Sequence, residues 1–390
     1  MTLPVSRRTV VAGIAAGVAT QCAGVGLAAR GGSMSRFAYV GCRTSRERNA
    51  KGDGISVWRI AADGAWSRIQ LVSDLVNPSW LAFDRARRFL YTVHGDGSEA
   101  SAFRIDPATG ELAFLNRVTT GGRNPVHLMA DPTNRFMVVA NHIVAGEVKS
   151  GLATLPIATD GRLGDPADVV AFDGKIGPHR VEQPFPKPHQ AQFDPSGKYI
   201  VVPDKGCDRV LVYTLDAGGK LHRVEAAGAA ARETSGPRHV AFHPGNRFAY
   251  VINELDSTVV AYRFDTGSGA LHPFQVVSAL ADDFTANSRG SEIAMSPDGR
   301  HLYASNRGAD TVATFAVDRA SGRLTLTGSS PAGGKTPRFF TLTADGATMF
   351  VANEEGHNIV RHAIDPHSGL PRKPVVVAET GSPTSILLSA

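Results

Sequence analysis

The sequence predicts an all-β protein: a seven-bladed β-propeller, its ring closed by the C-terminal strand completing the N-terminal blade. Three observations predict this fold. A repeat of about 50 residues runs through the chain, each copy holds four strand-like runs, and two incomplete fragments at the ends sum to one further copy.

The copies begin at Pro78 (PSWLAFDRARRFLYTV), Pro125 (PVHLMADPTNRFMVVAN), Pro188 (PHQAQFDPSGKYIVVPD), Pro237 (PRHVAFHPGNRFAYVINE), Ser291 (SEIAMSPDGRHLYASNR) and Pro337 (PRFFTLTADGATMFVANE). Successive starts lie 47, 63, 49, 54 and 46 residues apart, a spacing that belongs to stacked or radially repeated β units and not to independent domains. Within a copy, apolar runs such as Tyr199 to Val202 and Phe248 to Val251 are strand-like. The tetrads Asp194 to Gly197 and Ser296 to Gly299 are turns, because Pro fixes φ and Gly supplies a positive φ. The stretch Thr311 to Val317, followed by Gly322 to Leu324, supplies a third and fourth strand.

Six copies leave residues 37–70 and the tail Pro383 to Ser389. Phe37 to Val40 and Ile55 to Trp58 lack a first strand, and the tail has the form of one. Joined, they make the seventh blade and leave no sheet edge open between the termini. Residues 37–390 are therefore read as a single propeller domain. The copy at Pro125 is long because of an insertion, Gly174 to Lys187, which is polar, rich in Pro and poor in strand formers, the composition of a functional loop.

Residues 1–30 follow a different pattern. Arg7 and Arg8 precede an uncharged Ala/Gly/Val stretch from Val11 to Ala29, with small residues at Gly26, Ala28 and Ala29 for cleavage. This predicts a twin-arginine-type export signal, a transient encounter with that export machinery, and a periplasmic or secreted protein with no membrane attachment once the signal is removed. Initiation at Met34 would instead give a cytoplasmic protein.

A hydrophobic content of 42% and a charged content of 20% describe a soluble globular chain. Cleavage after Ala29, which removes Arg7 and Arg8 and no carboxylate and leaves Arg30 in place, lowers the formal charge from +5 to +3, and the remaining basic residues are scattered, which excludes a nucleic-acid footprint. Three cysteines, Cys22, Cys42 and Cys207, do not make a disulfide framework. A monomer is expected, since a closed ring is self-sufficient.

In a four-stranded antiparallel blade, the lead-in to the first strand and the connection between the second and third strands share one face of the disc. The lead-ins hold His189, Arg238, His239, Glu292 and Arg338. The connections hold His94, Asn141, His142, Asp204, Lys205, Asn253, Glu254, Asn306, Arg307, Asn353 and Glu354. One channel mouth is thereby stocked with groups that recognise a small anionic or polyhydroxylated ligand. No metal or cofactor is expected, because the histidines lack a ligand spacing such as His-x-x-x-His. The recurring Asn253, Asn306 and Asn353 suit a structural turn role, Lys205 and Glu354 suit solvated rim charges, and Arg238, Arg307 and Glu254 suit ion pairs between blades as well as a site.

At these residues the motifs are Pro188-His189-Gln190, Gly236-Pro237-Arg238-His239, Asn253-Glu254-Leu255, Ser305-Asn306-Arg307-Gly308 and Thr336-Pro337-Arg338. In this order they resemble the 6-phosphogluconolactonase-like family of propeller lactonases, which also contains carboxymuconate-lactonising enzymes. The resemblance implies a metal-independent enzyme with His189, Glu254, Arg238 and Arg307 as catalytic residues. His189 or Glu254 would act as base and the arginines would stabilise anionic charge. His239, Arg338, Glu292, Asp204, Lys205 and His142 are the expected substrate-binding residues. The expected substrate is a lactone hydrolysed to its sugar acid. An export signal fits an unphosphorylated aldonolactone better than a cytoplasmic sugar phosphate. A lactonising cycloisomerase and a non-catalytic binding propeller are the competing readings.

Overall fold

The computed structural model describes residues 36–144 and 149–389; the expected export signal lies outside the described residues. Seven antiparallel sheets follow one another along the chain. Blade one comprises strands Pro78–Phe83, Phe89–His94, Glu99–Ile105 and Leu112–Thr119. Blade two begins with Gly122–Ala130 and Phe136–Val144, and blade three with the short Gln192–Phe193 and Ile200–Asp204. Blade four begins with Pro237–Phe242 and Phe248–Asn253, blade five with Arg289–Met295 and His301–Arg307, and blade six with Pro337–Leu342 and Thr348–Asn353. Blade three carries an extra pairing absent from the sequence expectation, where Ala229–Ala230 joins the edge of Arg209–Leu215.

Blade seven is the composite that the end fragments predict. Its first strand is the C-terminal Pro383–Leu388, paired antiparallel with Phe37–Cys42 in the register Ala38 to Leu388, Tyr39 to Leu387 and Val40 to Ile386. The closing strand also reaches blade one: Thr384 Oγ1 donates to the Ser79 carbonyl at 2.9 Å, and Ser385 Oγ accepts from Leu81 N–H at 3.2 Å.

The core lies between blades. Seven apolar clusters fill the seven interfaces, for example Tyr91, Val93 and Leu128 between blades one and two, and Ile386, Phe339 and Ala38 where the ring closes. Aromatic residues at the start of second strands pack on glycines of the next blade. At Gly161 φ is +89°, and an added Cβ would stand 2.2 Å from the Phe89 ring, so the glycine is required both for its turn and for this approach. Tyr91 Oη donates to the Gly161 carbonyl at 3.0 Å and locks the same junction.

The turns expected between first and second strands are structural. The Asp84, Asp131 and Asp194 carboxylates accept the N–H of Phe89, Phe136 and Tyr199 at 2.7 to 2.8 Å. In blades five and six the Ser296 and Thr343 hydroxyls accept from His301 and Thr348. Cys42 and Cys207 are buried free thiols. No helix among the described residues is long and apolar enough to cross a membrane.

Candidate active site

The blade topology places one set of loops around a single mouth of the channel, where a cleft of about 800 Å³ opens. First-strand lead-ins contribute His189, Arg289, Arg338 and Ser382 to it. Connections from second to third strands contribute Arg43, His142, Lys205, Glu254, Arg307 and Glu354. Eight Lys and Arg side chains and five Glu side chains line the cleft, a surplus of three positive charges.

Glu254 organises the cations. Lys205 Nζ lies 2.9 Å from Oε1, Arg238 Nε and Arg307 Nη2 each lie 3.2 Å from Oε2, and Arg289 Nη1 stands 3.7 Å from Oε1. Burial alone would raise this carboxyl, but Lys205, Arg307 and Arg238 outweigh it and hold Glu254 well below the ordinary carboxylate range. It is a permanent anion. Lys205 is not the solvated rim charge that its position suggests: it is buried and bridges Glu254 and Glu182, the latter at 3.1 Å. Glu354 likewise is tied down, accepting Arg43 at 2.8 Å and Arg338 at 3.1 Å.

His189 lines the cleft while remaining 95% buried. Burial, with Arg238 and His239 beside it, holds its pKa well below the usual histidine value, so the ring is neutral. Its Nδ1 is 3.1 Å from His239 Nε2, and no hydrogen bond engages its Nε2 among the described residues. His142 sits next to it, with ring centroids 5.3 Å apart, and also lines the cleft.

Of the expected residues, His189, Glu254, Arg307, Lys205, Arg338 and His142 meet in the cleft. Arg238 lies behind Glu254, donating to the Ser291 carbonyl at 2.7 Å, and is pushed down to about 9 by burial and by Arg307 and Arg338. Three residues expected to touch substrate are off the cleft. Asp204 is fully buried, pairing with Arg209 at 3.1 Å and accepting from Lys187 N–H at 2.7 Å, a loop anchor. His239 and Glu292 lie deeper along the channel, and Glu292 lines the opposite mouth. The buried Asn306 and Asn353 each donate to a backbone carbonyl, the turn role expected of them.

Sequence reasoning missed Arg43, Arg289 and Glu182. Arg289 precedes the repeat start by two residues, and Arg43 follows the first strand-like run of an incomplete copy, so repeat alignment alone would have found both. Glu182 had only its place in the long insertion as a signal. Among the described residues, no group of three or more His, Cys, Asp and Glu side chains is placed to share a metal ion.

The fold and cleft define a seven-bladed propeller with a cation-rich site at one channel mouth. Residues 37–388 match the family described as lactonase, 7-bladed β-propeller, and the chain belongs to that family. It is 36% identical over 308 residues to the 6-phosphogluconolactonase of Bacillus subtilis (strain 168), covering 78% of this chain and 85% of that protein. It is 30% identical over 355 residues to the 6-phosphogluconolactonase of Formosa agariphila, covering 87% and 96%. The solved structure of the Pseudomonas aeruginosa periplasmic gluconolactonase superposes with a TM-score of 0.82 at 30% identity, over 91% of this chain and 99% of that one. The protein is a lactonase, which sets aside the reading as a non-catalytic binding propeller.

Proposed function

We propose that the protein hydrolyses an unphosphorylated aldonolactone to its aldonic acid, without a metal, outside the cytoplasm. The observation that carries this reading is a neutral His189 at the floor of a cleft with surplus positive charge. His189 Nε2 takes a proton from the attacking water. Arg307 and Arg338 stabilise the developing oxyanion, and the same positive field holds the carboxylate of the product. Glu254 fits the base role poorly, because Lys205, Arg238 and Arg307 hold its electron pairs; its role is to fix those cations in place. The leader motif at Arg7 and Arg8, together with the periplasmic location of the Pseudomonas relative, supports an exported protein.

The test is acid release in a pH-stat from gluconolactone, galactonolactone and their phosphorylated forms, with His189→Ala as control. Turnover of the unphosphorylated lactones, resistant to chelator and lost in the folded variant, is the expected result. Turnover confined to phosphorylated lactones would overturn the substrate assignment. Full turnover by His189→Ala would overturn the base.

A further inference from the structure

Behind His189 the channel holds a hydrogen-bonded line of side chains that the hydrolytic scheme leaves unused. His189 Nδ1 lies 3.1 Å from His239 Nε2, and His239 Nδ1 lies 3.0 Å from Glu292 Oε1. Arg238 Nη1 stands 3.3 Å from the same His239 Nε2, and an arginine can only donate. His239 Nε2 is therefore an acceptor and its proton sits on Nδ1, directed at Glu292. His239 Nε2 has a single lone pair, which Arg238 and His189 share; the shorter contact is the one from His189 Nδ1–H, which leaves the His189 Nε2 lone pair for the cleft.

All three residues are buried, and Trp80 walls the line, with its ring 5.4 Å from that of His239. Glu292 Oε1 also accepts the Ile293 N–H at 3.1 Å, whereas Oε2 is buried without a protein partner. That oxygen belongs to a residue lining the opposite, largely apolar mouth, a cavity of about 680 Å³. A carboxylate wired to a site histidine and left half-bonded in an apolar setting does not serve packing, because leaving it so costs free energy.

We propose that His189, His239 and Glu292 form a proton relay along the channel axis, in which Glu292 stores the proton removed from the attacking water. The inference rests on His189 being the base of lactone hydrolysis. As the water oxygen bonds to the carbonyl carbon, its proton passes to His189 Nε2. The Nδ1 proton of His189 passes to His239 Nε2, and the Nδ1 proton of His239 passes to the Glu292 carboxylate. Collapse of the tetrahedral intermediate breaks the ring C–O bond, and the three transfers reverse to protonate the leaving oxygen. The hydroxy acid then ionises in solvent.

The relay explains how a histidine surrounded by cations works as a base: the positive charge does not stay on His189. Arg238 faces both His239 and Glu292, His127 lies near His239, and Arg85 and Asp194 line the apolar mouth. Burial raises the Glu292 carboxyl to about 8, with Arg238 opposing, so the ionised, proton-accepting form grows as pH rises through that value.

The experiment measures kcat and KM of Glu292→Gln and His239→Gln between about pH 5 and pH 9, with spontaneous hydrolysis subtracted and folding checked by circular dichroism. The expected result is a kcat lower by on the order of 10²-fold, with KM little changed and the rising alkaline limb gone. Formate is expected to restore activity to Glu292→Ala through the opposite mouth, which a structural role would not permit. In wild-type enzyme, rates in mixtures of light and heavy water are expected to curve with deuterium fraction, as several protons move together. A linear, one-proton dependence in wild type overturns the relay even if the variants fail to fold. Wild-type kinetics in both Gln variants, with His189→Ala inactive, overturns the relay alone; an active His189→Ala overturns the reading beneath it.

Discussion

Glu254 shows how one side chain is held by the demands of several. Its carboxylate pairs with Lys205, Arg238 and Arg307 at once; Lys205 also has Glu182, whereas Glu254 is the acidic partner of both arginines. Glu254→Gln is expected to cost about 3 to 5 kcal/mol of stability, measured by denaturant unfolding, besides abolishing turnover. The pH dependence follows from the sign of the shift. The folded pKa of Glu254 lies below the ordinary value of 4.5, so its stabilisation is fully present above 4.5 and is lost as pH falls through the depressed folded value. Glu292 acts oppositely, since its folded value is raised to about 8: its contribution is present below 4.5 and is lost as pH rises toward 8. Glu292→Gln should therefore flatten the decline in unfolding free energy between these two values, a measurement independent of activity. At the junction of blades one and two, Gly161→Ala should lose about 1 to 3 kcal/mol in the same assay, as the new methyl meets the Phe89 ring.

Among the elements, the insertion from Gly174 to Lys187 is the one whose shape matters to chemistry. It carries no strand, yet it is pinned to the connection that follows Asp204: Gly177 N–H donates to the Gly206 carbonyl at 2.9 Å, and Gln183 Nε2 donates to the Lys205 carbonyl at 2.9 Å. This fixes Glu182 between Lys205 and Arg289, at 3.1 and 2.8 Å. Removing that carboxylate increases the positive surplus of the cleft. Glu182→Ala is expected to tighten inhibition by the aldonate product about fivefold, equivalent to ~1 kcal/mol for a partly exposed charge, as read from product-inhibition constants. Unchanged product inhibition would show that the product carboxylate binds away from Lys205 and Arg289.

For the whole molecule, closure is the decisive feature. The last strand pairs with Phe37–Cys42, bonds to blade one and contributes Ile386 and Leu388 to the cluster against blade six. Deleting residues 383–390 should open that interface and lower the thermal midpoint by on the order of 10 °C, whereas Ile386→Ala alone should cost about 2 to 5 kcal/mol. The ring, its closure and the face that carries the site were legible in the chain, because a period near 50, four apolar runs per period and strand polarity are local properties that add up without knowledge of distance. The same alignment put His189, Glu254 and Arg307 at one mouth. It equally put Asp204, His239 and Glu292 there, and the structure does not. Strand polarity selects a face of the disc, while depth along the channel depends on how first strands tilt and bulge, as between Pro237 and His239, where the register shifts. Which carboxylate is a fixed anion and which sits half-bonded in an apolar mouth depends on distances between blades about 50 residues apart in sequence. Those distances exist only once the ring has closed.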